Sequence, residues 1–241
     1  MLRSAEIKQA ALAVGFDACG VAPAVALTDE EYPLRQWLAK GWHGSLDYME
    51  RNIDKRMDPR QLVPGAKSVI CCVSAYPPPT SEGGVAAYAR TREYHKVVKD
   101  MLFALRERLG LSSAGGPAKV CCDTVPISDK HWAARAGLGW IGRHTLLVTE
   151  RWGSWVNLGE LVTTEECDAY DSPLPTGCTD CNLCVEACPN HAIGEDMIDV
   201  RRCTAYYTTH HTREIPPDVD AHGYTQGCDI CQLACPFNKT I

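Results

Sequence analysis

The sequence predicts an α+β protein in two unequal parts, a sheet-and-helix domain over residues 1–167 and a smaller domain over residues 168–241. Three observations carry this. Helix-period and strand-period apolar patterns alternate up to about residue 167. Beyond it Cys, Pro, Asp and Thr dominate with little apolar periodicity, as expected where bound metal replaces a hydrophobic core. Of the 14 cysteines, eight lie between residues 178 and 235.

In the first part, Ser4 is a suitable N-cap for a helix from Ala5 to Val14, which Gly15 stops. Phe16 to Val21 reads as a short strand, and a helix from Glu30 to Ala39 ends at Gly41. Ser68 to Ala75 is β-rich and runs into Pro77, Pro78 and Pro79, which cannot continue a central strand. Tyr94 to Leu109 is amphipathic, with Val97, Val98, Met101, Leu102, Leu105 and Leu109 on one side. Ala118 to Cys122 is a further apolar strand leading to Asp123, and Thr145 to Thr149 and Trp155 to Val162 are two more, joined by a turn at Gly153-Ser154. Strand alternation sends one member each of Cys71/Cys72 and Cys121/Cys122 to either face, so these are expected to be buried, inert thiols. Cys19 and Cys167 carry no signal.

A composition of 45% hydrophobic and 22% charged residues predicts a sizeable core. The net charge of −6 argues against broad nonspecific nucleic-acid binding but leaves room for a local basic face. Two stretches could supply one: Arg51, Lys55, Arg56 and Arg60, and then Arg90, Arg92, Lys96, Lys99, Arg106 and Arg108. The N-terminus lacks an uninterrupted apolar core and no apolar run is long enough to span a bilayer, so the expectation is a cytoplasmic monomer with no membrane partner.

The run Cys178-Thr-Asp-Cys181-Asn-Leu-Cys184-Val-Glu-Ala-Cys188-Pro189 has the bacterial ferredoxin spacing, in which three thiolates hold one iron–sulfur cube and the fourth reaches to a neighbour. A second run is therefore expected. It is Cys228-Asp-Ile-Cys231-Gln-Leu-Ala-Cys235-Pro236, with Thr225 where the first cysteine would stand and Cys203 as its replacement. The assignment puts Cys178, Cys181, Cys184 and Cys235 on one [4Fe–4S] cluster and Cys203, Cys228, Cys231 and Cys188 on the other. Structural zinc is the bland alternative, but three cysteines at successive spacings of three crowd a tetrahedral ion and suit the corners of a cube. A disulfide framework belongs to a secreted chain, which nothing here indicates.

Cubane clusters move single electrons, so the larger domain should hold what receives them. The densest candidate is the stretch from Asp123 to Thr145, which opens where an apolar strand ends at an acid. Gly137-Leu-Gly139-Trp140-Ile-Gly142 has the letters of a dinucleotide fingerprint, but a helical stretch precedes its glycines and a β-like segment follows, the reverse of what that motif requires. The glycines can end the helix and let bare backbone approach a bulky ligand. Asp123 before Thr124 and Pro126 could equally close an Asx-turn, and His95 could be an ordinary first-turn residue.

Read together, Asp123-Thr-x-Pro126, Ala133-Ala-Arg-Ala-Gly-Leu-Gly-Trp-Ile-Gly-Arg143-His144-Thr145, Gly153-Ser-Trp-x-x-Leu-Gly159-Glu160, the ferredoxin run and Arg202-Cys203-Thr-Ala-Tyr206 resemble epoxyqueuosine reductases. Gly44-Ser-Leu-Asp-Tyr48, Asp58-Pro-Arg-Gln-Leu-Val-Pro-Gly65 and Tyr88-Ala-Arg-x-x-x-Tyr94-His95 agree, in order, along nearly the whole chain. The resemblance implies a cobalamin-dependent iron–sulfur oxidoreductase that removes the epoxide oxygen of epoxyqueuosine in tRNA. It also implies a reductive-dehalogenase-like cobalamin domain beside the double-cluster domain, and an external low-potential electron donor. By motif, Asp123 is the proton donor; His95, Gly137, Gly139, Trp140, Gly142, Arg143, His144 and Thr145 are the expected corrin contacts. For Asp123 to donate near neutral pH, its pKa is expected to be raised by burial against the corrin and the apolar strand.

Two departures stand out. The chain stops five residues after Pro236, where family members commonly carry a helical-repeat extension that helps hold tRNA, so a short form is expected. Asp129-Lys130 replaces the usual Glu-Arg. The alternative readings are a related cobalamin-dependent reductase or dehalogenase-like enzyme for another substrate, and a noncatalytic iron–sulfur carrier.

Overall fold

The computed structural model describes residues 1–91, 93–112, 118–194, 197–210 and 214–238. Arg92 of the second basic stretch lies outside the described residues. The fold is α+β, organised on a four-stranded antiparallel sheet that the chain visits out of order. In sequence the elements are α1 (Ser4–Ala13), β1 (Ala18–Pro23), α2 (Thr28–Ala39), α3 (Ile53–Met57), α4 (Pro59–Leu62), β2 (Ser68–Ala75), β3 (Gly84–Val85) and α5 (Tyr94–Arg108). There follow β4 (Ala118–Cys121), α6 (Asp129–Arg135), β5 (Trp140–Ile141), β6 (Leu147–Val148), β7 (Val156–Thr163), α7 (Leu183–Ala187), β8 (Tyr224–Gln226) and α8 (Ile230–Leu233).

The main sheet runs β1-β2-β7-β4. Its alternation builds two cores. Cys71, Cys121 and Val162 face α6 and the short helices, with Leu27, Met57 and Trp132. Cys72, Cys122 and Leu161 face α1 and α5, with Ile7, Val98, Leu102 and Leu105. The two cysteine pairs thus split between faces as strand periodicity requires. Burial holds the Cys71, Cys72, Cys121 and Cys122 thiols above their ordinary range, which keeps them protonated and inert. At Gly159 a Cβ would lie 2.6 Å from Val98 Cγ1 and 2.8 Å from Leu102 Cδ1, so this glycine lets α5 lie flat on β7.

Helix and strand positions follow the sequence pattern, with two differences of substance. Ser4 is the first residue of α1 rather than its cap. Its backbone N–H is satisfied by Asp168 Oδ1 at 2.8 Å, a cap supplied from 164 residues away that local sequence could not show. The stretch 145–149 does not join β7 in one hairpin; its core, β6, pairs with β5, the strand that follows α6.

The cysteine-rich segment packs directly on the first part. Asp171 N donates to Val21 O, and Asp171 also accepts from Val21 N and Lys8. β8 pairs in parallel with β3, and Trp37 Nε1 donates to Ile198 O at 2.6 Å. Asn238 forms a buried knot. Its Oδ1 accepts from Ser154 N at 2.7 Å, while its Nδ2 donates to Ser154 Oγ at 2.8 Å and Gln232 O at 2.7 Å. Among the described residues no helix is long and apolar enough to cross a membrane.

Candidate active site and cluster cavities

The eight cysteines form two rings, α7 and α8 each rising from a cysteine run. Cys178, Cys181, Cys184 and Cys235 line one cavity, and Cys188, Cys203, Cys228 and Cys231 line another. The last cysteine of each run faces the other run's cavity, as the spacing predicted. Among the described residues no three His, Cys, Asp or Glu side chains converge on a point that would hold a single ion. Four thiols around a void fit a cube; four thiols around a point would have fitted zinc. Burial raises the Cys184, Cys203, Cys231 and Cys235 thiols and pushes Cys228 up to about 12, so these groups need a bound cation to ionise.

The first cavity is also walled by Arg143 and His144, so the glycine loop touches the ring of Cys178, Cys181, Cys184 and Cys235 directly. Arg143 Nη2 donates to Thr179 O at 3.1 Å, inside the first cysteine run. His144 is buried, and its Nδ1 accepts from Leu146 N at 3.2 Å. That bond leaves the proton on Nε2, on the opposite edge of the ring, where it meets no acceptor among the described residues. Burial, assisted by the Lys130 charge, lowers the His144 pKa to about 4, so the ring is neutral. A buried N–H without an acceptor beside a cavity suits a bound group that supplies one.

The three glycines serve the chain itself. Gly137, at φ +71, ends α6, and a Cβ there would meet Ser172 O at 2.8 Å. A Cβ at Gly139 would fall 2.1 Å from Val148 O, and one at Gly142 would fall 2.9 Å from both His144 and Val148. Their missing side chains make room for the loop's own neighbours. Trp140 likewise faces the cysteine-rich part, edge-on to Phe237 with centroids 4.9 Å apart.

Asp123 stands just past β4 in the left-handed region at φ 55, a conformation that Asp tolerates better than most residues. His95 Nε2 meets Asp123 Oδ2 at 2.7 Å, and Tyr94 Oη donates to the same oxygen at 3.3 Å. The other His95 nitrogen pairs with Glu93, whose carboxylate also caps α5 by accepting from His95 N and Lys96 N. Partial burial opposes the charged imidazole, but its hydrogen bonds to the Asp123 and Glu93 carboxylates outweigh that and raise the His95 pKa. The Asp123 side chain, just past the end of the edge strand, leaves 60% of its surface uncovered by the protein. The protein supplies it with a set of proton-bearing neighbours, to which Tyr48 adds a phenol held protonated by burial and by the Asp123 charge.

Sequence reasoning missed Glu93, Lys130 and Glu160. The available signal for Glu160 was a lone acid at an inward register of an otherwise apolar strand.

Residues 56–124 match the family described as Epoxyqueuosine reductase QueG, DUF1730, and residues 177–238 match the 4Fe-4S double cluster binding domain. The chain is 37% identical to the epoxyqueuosine reductase of Leadbetterella byssophila, over 98% of this chain and 80% of that one. It is 40% identical to that of Gloeobacter violaceus, over 98% and 76%. The structure of epoxyqueuosine reductase from Streptococcus thermophilus superposes with a TM-score of 0.90 at 29% identity, covering 98% of this chain and 66% of that chain. An epoxyqueuosine reductase crystallised with an epoxyqueuosine-modified tRNA-Tyr stem loop gives 0.88 at 28%, covering 98% and 65%. The present chain thus spans slightly less than two thirds of the length of those solved chains. The reductive dehalogenase NpRdhA shares the fold, with a TM-score of 0.62 at 16% identity over 96% of this chain and 31% of that one.

Proposed function

The chain belongs to the epoxyqueuosine reductase family, and on that premise we propose that it reduces the epoxide of epoxyqueuosine in tRNA to the alkene of queuosine, with Asp123 as the proton donor. The observation that carries the assignment of the acid is the 2.7 Å contact between His95 Nε2 and a solvent-facing Asp123 carboxylate. The cofactors are two [4Fe–4S] clusters and cobalamin. When bound, cobalamin supplies a strongly reducing cobalt centre, and the clusters supply it with single electrons.

Epoxide-to-alkene conversion consumes two electrons and two protons and releases water. Asp123 protonates the opening epoxide oxygen, which would otherwise leave as an alkoxide. His95, flanked by Glu93 and Asp123, holds the next proton and returns it to Asp123 through Nε2. Tyr94 and Tyr48 keep the carboxylate in place by donating toward it or standing beside it as neutral phenols. Arg143 and His144, which wall the first cluster cavity, and Thr145 would hold cobalamin from this loop, with Gly137, Gly139, Gly142 and Trp140 shaping it. The ring of Cys188, Cys203, Cys228 and Cys231 would hold the cluster that takes electrons from an external low-potential donor. The chain acts as a monomer in the cytoplasm, where its tRNA substrate resides.

The test is a reconstituted protein, loaded with iron, sulfide and cobalamin and given a chemical reductant and an epoxyqueuosine-modified stem loop. Mass spectrometry of the nucleosides should show loss of one oxygen. An unchanged epoxyqueuosine peak would overturn the reading.

A further inference from the structure

Cys203 is the thiol of the second ring that belongs to neither cysteine run, so run spacing alone does not position it. The segment around it is gripped by the larger part of the chain, at the end of α2 and along the connection to α3. Trp37 Nε1 donates to Ile198 O at 2.6 Å, and Val200 N donates to Trp42 O at 3.0 Å. Beyond the cysteine, Tyr206 Oη accepts from Ser45 N at 2.9 Å and shares a hydrogen bond with Ser45 Oγ at 2.7 Å. Tyr206 is buried, and Gly44 makes its approach possible: at φ +59, a Cβ on this glycine would fall 2.8 Å from Tyr206 Oη and 3.0 Å from its Cζ. Two short turns carry these grips to the cysteine, Cys203 N donating to Val200 O at 3.0 Å and Tyr206 N to Cys203 O at 3.1 Å. The smaller part adds anchors of its own. Asp199 N donates to Ala192 O at 2.8 Å, and the Thr204 hydroxyl accepts from Asn190 Nδ2 at 3.0 Å and donates to Asp220 O at 2.9 Å. The segment therefore keeps its course if the Ser45 grip is removed, and what changes is how firmly Cys203 is held.

We propose that Tyr206 and Gly44 are positioning residues for the second cluster: the larger part clamps the segment bearing Cys203, and this ring holds its cluster firmly only while the two parts are docked. The inference rests on the assignment of Cys203 to that ring. The other three thiols stand on the runs themselves, Cys188 at the end of α7, Cys231 within α8 and Cys228 two residues before it, at spacings that fit a cube. The fourth arrives from outside, and holding it beforehand spares the conformational entropy of ordering it at the moment of binding. Coupling of this kind is reciprocal. A clamp that favours the filled ring is itself favoured by the filled ring, so the cluster tightens the turn 41–46, which closes through Gly44 N to Gly41 O at 3.2 Å and Leu46 N to His43 O at 3.0 Å.

The experiment uses the full chain loaded with iron and sulfide. Release of iron to a chelator is followed by paramagnetic resonance of the reduced protein, with Cys235→Ser and Cys188→Ser assigning the two signals. Tyr206→Phe keeps the ring and removes the hydroxyl, and should lose the second cluster about tenfold faster than wild type while the first is released at its usual rate. Gly44→Ala keeps the hydroxyl but drives a methyl group against it, and should speed the same loss at least as much. Cys203→Ala should hold about four irons, and hydrogen exchange of the Ser45 amide should quicken in it although the clamp residues are all present. If Cys203→Ala keeps both clusters, the assignment of Cys203 falls and the proposal with it. If it loses one, the assignment stands, and the clamp is overturned by wild-type release from both Tyr206→Phe and Gly44→Ala, by equally hastened release of both clusters, or by unchanged Ser45 exchange in Cys203→Ala. None of these readouts needs turnover, so failure of the wild type to reduce epoxyqueuosine would overturn the functional reading alone.

Discussion

Lys130 donates from Nζ to the carbonyl oxygen of Thr145 at 2.6 Å, across the glycine loop. Thr145 is held there at φ 66, a left-handed conformation that a β-branched residue rarely adopts and that costs about 1–3 kcal/mol. Thr145 N also donates to Gly142 O at 2.8 Å, so the strained residue is fixed from both sides. Lys130 stands where the family usually has Arg, and this contact needs one donor only, which Lys supplies.

Burial lowers the Lys130 pKa to about 8 from 10.5. The unfolded chain binds the extra proton between those values, so this residue's contribution to stability rises as pH climbs from 8 to 10.5. Lys130→Met should abolish that contribution: urea midpoints should show the wild type gaining on the variant across this window. The variant should also bind cobalamin about tenfold more weakly, by titration, because Thr145 loses its anchor.

Asp123→Asn should retain both clusters and bound cobalamin by iron content and visible spectrum, yet lose turnover by roughly a hundredfold or more. A variant with full activity would remove the acid assignment.

His95→Gln keeps a hydrogen bond to Asp123 but no titrating proton. Because its carboxylate neighbours raise the His95 pKa above 6.5, the imidazolium persists into the neutral range and is lost as pH rises through the raised value. The wild-type rate should fall along that alkaline limb, and the Gln variant should be slower and flatter over the same interval. Rates across a pH series, with proton NMR of the imidazole, check this.

Cys235→Ser and Cys188→Ser should each empty the cavity served mainly by the other run. Iron should fall from about eight to about four per chain in either case. Paramagnetic resonance of the reduced variants should show one surviving cluster, and a different one in each.

Asn238→Leu should cost about 1–3 kcal/mol, since it strands the buried Ser154 N–H, which donates to Asn238 Oδ1, and removes the bond that the Gln232 carbonyl accepts from Asn238 Nδ2. Gly153→Ala should act on the same contact, because a Cβ there would fall 1.9 Å from Asn238 Oδ1. Thermal unfolding measures both.

Much of this was legible in the residues because local rules decide it. β2 was readable from Ser68–Ala75, since eight strand formers ending before prolines leave little choice, and the cysteine spacing alone paired Cys188 and Cys235 with the opposite cavities. The glycine letters were correctly set apart from a dinucleotide fingerprint because α6 precedes them and β6 follows. What stayed hidden depends on contacts distant in sequence. Asp168 capping α1 and the full burial of Glu160 follow from strand order, which no window of neighbours encodes. The same holds at the glycines, where Val148 and Ser172 fill the space that a side chain at Gly139 or Gly137 would take.

Because each run lends its final thiol to the opposite ring, neither ring is complete until the second run has been made: one closes at Cys231 and the other at Cys235. A nascent chain halted between the runs would offer three sulfurs to the first site and two to the second. A product ending before the second run would therefore lack the thiols that close either ring.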